Sequence, residues 1–220
     1  MHLISMTLRN IRPSFFALGL LVAVYLPAFA VASLVRPRVE LAVPLVIGIS
    51  LSIALLLTIA LARHDSGIDA FGFKSPQRHD FSVGLLLAPP LAVAVVWLSR
   101  VFPSKPPLDV STFPVWMIGL YFVVGAPTQE EIIFRGLIQS FLQQRWQSTV
   151  RVFGTAFSPA VACTAILFSL VHIGAGPVVL IGAMALSLLA GELRRRSGSL
   201  MPAMLVHAIF NLTDALWPGR

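Results

Sequence analysis

The segment LAVPLVIGISLSIALLLTIALA, residues 41–62, is 22 residues long and contains no charged side chain. An α-helix rises about 1.5 Å per residue, so this segment can cross the roughly 30 Å hydrocarbon core of a bilayer. Soluble domains carry about 25% charged residues, whereas this chain of 220 residues has 11% charged and 57% hydrophobic residues. The segment therefore predicts a transmembrane helix, and the composition extends that prediction to the whole chain.

Further apolar segments of similar character predict an all-α, polytopic integral membrane protein with about seven transmembrane helices. The candidate spans are residues 14–35, 41–62, 81–99, 114–142, 159–173, 178–193 and 200–216. The longest of them contains Pro127, which could divide it into two helices, so the sequence leaves open whether there are seven or eight helices. Neither a repeat nor a soluble domain interrupts the series, so residues 1–220 are predicted to form one membrane domain.

The net charge of +7 comes from basic residues that flank the apolar segments. Because these residues gather neither on one helical face nor in one tail, nucleic acid is not expected as a partner. With seven spans, one side of the membrane carries Arg9, Arg12, Arg63, Lys74, Arg78, Arg145, Arg151, Arg194, Arg195 and Arg196, and the other carries Arg36, Arg38, Arg100, Lys105 and Arg220. The positive-inside rule then predicts a cytoplasmic N-terminus and a location in the cell (inner) membrane.

Three polar motifs interrupt the apolar segments of the second half, where a charge at mid-bilayer costs about 2.5–3.5 kcal/mol. The first is QEEIIFRG, residues 129–136. Glu131 and Arg135 share a helical face and are predicted to form a buried ion pair. Glu130 is rotated by about 100° from Glu131, so it is predicted to face a water-filled cavity. Thr128 is predicted to cap a helix that begins at this motif.

The second motif is FSLVH, residues 168–172, near the end of an apolar helix, and the third is HAIFN, residues 207–211. The spacing of His207 and Asn211 puts both side chains on one helical face. Taken singly, a membrane histidine is more often a packing residue than a catalyst, and a His-Asn pair can simply join two helices. Three such motifs on three helices favour a functional pocket.

The side chains of this pocket suit two kinds of hydrolytic chemistry. A carboxylate near a neutral imidazole can take a proton from water, and a second imidazole with an amide can stabilise an oxyanion. Alternatively, Glu130, His172 and His207 could ligate Zn²⁺ with water at the open position. The sequence leaves the choice between a metal-free site and zinc open.

The three motifs, in this order, resemble the CPBP family, which comprises the type II CAAX prenyl endopeptidases and their abortive-infection or bacteriocin-immunity relatives. The family pattern is Glu-Glu-x-x-x-Arg, then Phe-x-x-x-His, then His-x-x-x-Asn or Asp, and the resemblance covers about residues 114–214. It implies an intramembrane endopeptidase in which Glu130 activates water and His172 assists. The resemblance further implies that His207 and Asn211 line the oxyanion site, or that His207 ligates a metal. Glu131, Arg135 and Phe168 are the supporting residues of the pattern.

The expected partners are therefore membrane lipids and a membrane-associated protein or peptide substrate, with or without a prenyl group. Two other functions remain open. A non-catalytic membrane immunity or scaffold protein could bind a partner through the same pocket. A proton-coupled transporter is less favoured, because its polar residues would be expected in both halves of the chain.

Overall fold

The computed structural model describes residues 13–35, 38–64, 67–102, 113–146, 150–152 and 155–216. Within these ranges the chain forms seven helices and one short hairpin. The helices are α1 (Pro13–Ser33), α2 (Val39–His64), α3 (Arg78–Val101), α4 (residues 115–145), α5 (Pro159–Leu170), α6 (Pro177–Ser197) and α7 (Met201–Leu216). The predicted all-α architecture is confirmed, and every helix lies on one of the predicted spans.

The hairpin is the one β element of the described residues, and the sequence analysis did not predict it. Strand β1 (Val150–Val152) pairs with β2 (Thr155–Phe157) in antiparallel register. The hairpin joins α4 to α5. Two 3-10 turns, Ile68–Phe71 and Ile173–Ala175, lie in the connections before α3 and before α6.

Four of the described helices are long and apolar enough to cross a bilayer, namely α1, α2, α3 and α6. Helices α5 and α7 are apolar but shorter, with 12 and 16 residues. Large apolar side chains such as Leu26 and Leu86 stay exposed on the outer helices. In a soluble protein such a surface would drive aggregation, whereas in a bilayer lipid covers it.

Helix α4 passes through Pro127 without a break, so of the two counts that the sequence left open, seven is the one observed. It consists of Val115–Met117, Ile118–Gly125, Ala126–Glu131, Ile132–Gln139 and Ser140–Arg145, of which the second and fourth segments are π-helical. The register change before the proline lets the chain continue where an α-helix would lose a hydrogen bond. Thr128 consequently lies inside the helix, so the prediction that it caps the beginning of a helix is wrong.

The second π-helical segment of α4 forms the centre of the protein. All eight of its residues, Ile132–Gln139, are buried, and it contacts α1, α2, α5 and α6. Phe134 and Leu137 belong to the largest apolar cluster. Because the first motif overlaps this segment, its polar side chains are held by the best-packed part of the molecule.

The polar connection between α2 and α3 packs against the end of α6 and the start of α7. The amide of Leu200 donates to the carbonyl of Gly72 over 3.0 Å, and the hydroxyl of Ser199 donates to the carbonyl of Lys74 over 2.7 Å. Phe71 of this connection is buried. The connection therefore ties the first half of the chain to α6 and to α7, the helix that carries the third motif.

Arg194 departs from the expected role of a surface residue that anchors the topology. Its side chain is buried, and Nη2 donates to the carbonyl of Ala70 over 2.9 Å and to the hydroxyl of Ser140 over 3.0 Å. Its neighbours Arg195 and Arg196 form ion pairs with Glu192 at 2.6 Å. Only these two arginines of the basic cluster thus remain available at the surface.

Gly72→Ala is expected to unfold the connection locally. Its φ is +94°, and a Cβ there would lie 2.5 Å from Nε of the buried Arg194 and 2.9 Å from Cγ of Leu200. Backbone strain and overpacking together should lower the free energy of unfolding by about 2–4 kcal/mol. Thermal unfolding of the protein in detergent micelles measures the loss.

Gly67→Ala is the matched control, because Gly67 also has a positive φ, +76°, but a Cβ there has nothing within 4 Å. It should cost only the backbone strain, about 1–2 kcal/mol. Equal unfolding midpoints for the two variants would show that the connection does not pack as described.

Candidate functional site

The centre of the site is a buried carboxylate that serves two helices. Oε1 of Glu131 lies 3.0 Å from Nη1 of Arg135 and 2.8 Å from Nδ1 of His207. The ion pair predicted from the spacing of Glu131 and Arg135 is therefore present, and both side chains are 0% exposed. The contact with His207 was not predicted, and it connects the first motif on α4 to the third motif on α7.

Phe168 from the second motif packs against this group. Its ring lies 4.7 Å below the guanidinium carbon of Arg135, and its centroid lies 5.8 Å from the ring of His207 in an edge-to-face contact. Since no guanidinium nitrogen of Arg135 has a well-aligned hydrogen bond within the described residues, the ion pair and the aromatic face carry the charge. Phe168 thereby joins all three motifs.

Glu130 occupies a different environment from its neighbour. Its side chain is 20% exposed, and Oε2 lies 3.8 Å from Nε2 of His207, which is too long for a direct hydrogen bond. This oxygen is buried and has no hydrogen-bond partner within the described residues. The predicted separation of the two glutamates is thus observed: Glu131 is neutralised by a cation, and Glu130 is left beside an imidazole.

The hydrogen bonds of the two histidines define their proton positions. Nδ1 of His207 faces a carboxylate oxygen of Glu131, and Nδ1 of His172 lies 2.8 Å from the carbonyl oxygen of Phe168. A carbonyl oxygen accepts but cannot donate, so Nδ1 of His172 carries the proton. In the neutral ring Nε2 is then an unprotonated acceptor.

His172 lies beyond the end of its helix rather than within it. Helix α5 ends at Leu170, and His172 occupies the turn before Ile173–Ala175. The four-residue spacing between Phe168 and His172 still brings the two side chains together, because the imidazole folds back onto the last turn of the helix. Its centroid lies 4.8 Å from that of the Phe168 ring. The rings of His172 and His207 consequently both contact Phe168, and Glu130 lies 3.8 Å from the ring of His207.

Asn211 lies one turn after His207 on α7 and is half-buried. Its Nδ2 atom donates a 2.7 Å hydrogen bond to the carbonyl of Phe122 in the first π-helical segment of α4. One amide proton is therefore engaged by the scaffold. The second amide proton and Oδ1 remain for other contacts.

The predicted zinc ligands do not fit a metal ion in this arrangement. Within the described residues, no group of three or more His, Cys, Asp or Glu side chains is arranged to hold one. Glu131 belongs to an ion pair, and Glu130, His172 and His207 do not converge as a tetrahedral zinc site requires.

Two residues at the site escaped the sequence analysis. Gln129, 2% exposed, donates from Nε2 to the hydroxyl of Tyr25 on α1 over 3.1 Å. Tyr25 also packs against Phe134. The sequence did point to Gln129, because a side-chain amide next to two glutamates in an apolar segment needs a hydrogen-bond partner. Nothing local could have identified Tyr25, which lies 104 positions away.

Comparison with known proteins gives one match. Residues 112–213 match the family model described as type II CAAX prenyl endopeptidase Rce1-like. The matched region runs from the start of α4 almost to the end of α7 and contains all three motifs. No curated protein and no solved structure matches the chain.

Tyr25→Phe tests whether α1 supports the first motif. The variant keeps the ring and its packing, but it removes the acceptor of Gln129, so the free energy of unfolding should fall by about 1–2 kcal/mol. Tyr121→Phe is the control, because the hydroxyl of Tyr121 makes no hydrogen bond within the described residues. Thermal unfolding in detergent should separate the two variants, and equal stability would remove Tyr25 from the site.

Proposed function

We propose that the chain, whose residues 112–213 match the Rce1-like family model of type II CAAX prenyl endopeptidases, hydrolyses a peptide bond of a membrane-associated protein or peptide. The family match and the apolar helices make it an integral membrane protein. The observation that carries the proposal is the unpaired Oε2 of Glu130, which lies 3.8 Å from Nε2 of His207.

Glu130 is the general base of the proposed reaction. A water molecule beside Oε2 gives its proton to the carboxylate as its oxygen attacks the scissile carbonyl carbon. The C=O double bond opens to a tetrahedral oxyanion. When the C–N bond breaks, the proton passes from Glu130 to the leaving nitrogen, so the carboxylate is restored and no group is consumed.

His207 and Asn211 stabilise the oxyanion in this proposal. Glu131 accepts the proton of Nδ1, so a second proton on His207 would place a donor at Nε2, on the side that faces Glu130. With that proton, Glu130, Glu131, Arg135 and His207 carry no net charge together. A neutral group of four is the arrangement that a low-dielectric interior favours.

His172, whose ring also packs against Phe168, supports the reaction in this proposal. Because its Nδ1 proton is held by the carbonyl of Phe168, the lone pair of Nε2 is available to orient the attacking water. The scaffold thus fixes the tautomer that this role needs. Phe168 keeps the two imidazoles apart, so each can serve a different atom of the substrate.

The surroundings of His172 favour a substrate that arrives from the bilayer. Val171 and Ile173, on either side of it, are 45% and 65% exposed. An apolar rim beside a polar site suits a peptide bond next to a transmembrane segment or a lipid group, which includes prenylated proteins. By the distribution of basic residues, we propose the cell membrane with the N-terminus in the cytoplasm.

Glu130→Gln is expected to lower cleavage by at least about 100-fold, because an amide cannot accept the proton of water. Cleavage is measured in proteoliposomes with fluorogenic farnesylated CAAX peptides and with unprenylated transmembrane peptides. The variant should insert and unfold like the parent, since Oε2 of Glu130 makes no hydrogen bond within the described residues.

Glu131→Gln is the matched comparison at the adjacent position. It leaves the buried Arg135 without its counter-charge, which should cost about 3–5 kcal/mol of stability together with activity. A membrane immunity or scaffold protein would tolerate Glu130→Gln in its binding assay. Full function of the Glu130→Gln variant would therefore reject the protease and favour the non-catalytic immunity or scaffold protein.

Metal removal tests the proposal that the side chains act alone. Prolonged dialysis against EDTA and 1,10-phenanthroline should leave the cleavage rate unchanged, since the described acidic and imidazole groups do not converge on one point. Elemental analysis of the purified protein accompanies the assay. A rate that falls on chelation and returns with Zn²⁺ would contradict the metal-free mechanism.

A further inference from the structure

The carbonyl of Phe122 lacks its natural backbone donor. At the C-terminal end of the π-helical segment Ile118–Gly125, the N–H of Ala126 bonds to the carbonyl of Tyr121, five residues before it. The next bond in this register would run from residue 127 to Phe122. Residue 127 is proline, which has no N–H.

The α-helical alternative is closed as well. In an α-helix the donor for Phe122 would be the N–H of Ala126, four residues later. That N–H is already bonded to Tyr121. Both helical registers therefore leave the carbonyl of Phe122 without a backbone partner, and a carbonyl in an apolar interior needs a donor from elsewhere.

Asn211 supplies that donor. Its Nδ2 atom lies 2.7 Å from the oxygen of Phe122, and α7 packs directly against this segment of α4. A side-chain amide has two free rotations, and this bond fixes the position of the carboxamide. The same bond therefore also fixes the orientation of the second Nδ2 proton and of Oδ1.

We infer that Pro127 is a positioning residue for Asn211: by lacking an N–H it leaves the carbonyl of Phe122 free to hold the amide that the third motif brings to the site. The catalytic consequence rests on the proposed function, in which Asn211 helps to stabilise the oxyanion. The structural part does not, since the bond exists whether or not the protein is an enzyme.

A double-mutant cycle tests the structural part. The four proteins are the parent, Pro127→Ala, Asn211→Leu and the double variant, each unfolded thermally in detergent. In the parent, Asn211→Leu orphans the carbonyl and should lower the midpoint by about 3–6 °C. In the Pro127→Ala background the restored N–H can take its place, so the same change should cost less than half as much.

Equal losses in the two backgrounds would overturn the inference. Pro90→Ala, an exposed helix-interior proline of α3, is the control, and it should not alter the cost of Asn211→Leu. Asn211→Met tests the bond with Pro127 in place, because a thioether has no proton to donate to a carbonyl. Parental stability of that variant would equally reject the bond, even if Pro127→Ala did not fold.

The activity of Pro127→Ala tests the positioning role. A backbone N–H that competes for the carbonyl of Phe122 should loosen Asn211, so kcat for the fluorogenic peptides should fall by about 3–10-fold. KM should stay unchanged, and the unfolding midpoint should stay unchanged or rise. A lower kcat with unchanged or higher stability is not expected of a purely structural residue. An unchanged kcat would reject the role, whereas a parent without protease activity would reject the proposed function and leave the stability cycle intact.

Discussion

Glu131 joins two helices inside the apolar interior, because one of its oxygens meets both the guanidinium of Arg135 and the ring of His207. Removing any member of such a group leaves a charge or a polar atom that neither lipid nor protein can satisfy. The register between α4 and α7 is consequently fixed by electrostatics rather than by side-chain shape alone. That register also sets the positions of Glu130, one residue before Glu131, and of Asn211, one helical turn after His207.

The π-helical turns of α4 are the second constraint. The α-helical segment Ala126–Glu131 lies between two π-helical segments, and each such turn displaces the side chains that follow it around the helix axis. Wide turns of this kind commonly occur at functional sites. In this protein Pro127 lies in the α-helical segment between the two, and the carbonyl that Asn211 meets belongs to the first π-helical segment.

The sequence was sufficient wherever local rules govern. The apolar length of each span and the spacing of Glu131 and Arg135 predicted the helices and the ion pair, since both depend on residues close in the chain. It failed where distant segments meet. The burial of Arg194 depends on the carbonyl of Ala70, and the support of Gln129 depends on Tyr25, contacts that no local pattern encodes. The sequence left the count open between seven and eight at Pro127, because the α-helical rule for proline does not say what happens in a helix that changes register.

Glu130 and Glu131 are adjacent in sequence and nearly identical in chemistry, so their difference comes from the fold. Since successive helical residues point about 100° apart, Glu131 forms the ion pair with Arg135, whereas Oε2 of Glu130 lies 3.8 Å from the far nitrogen of His207. A network that served packing alone would gain by pairing both, because each unpaired charge weakens the folded state. Two carboxylates driven into unlike environments are the usual arrangement of an acid-base site. The unmatched oxygen of Glu130 therefore makes better sense as a group held ready for water than as a flaw in the core.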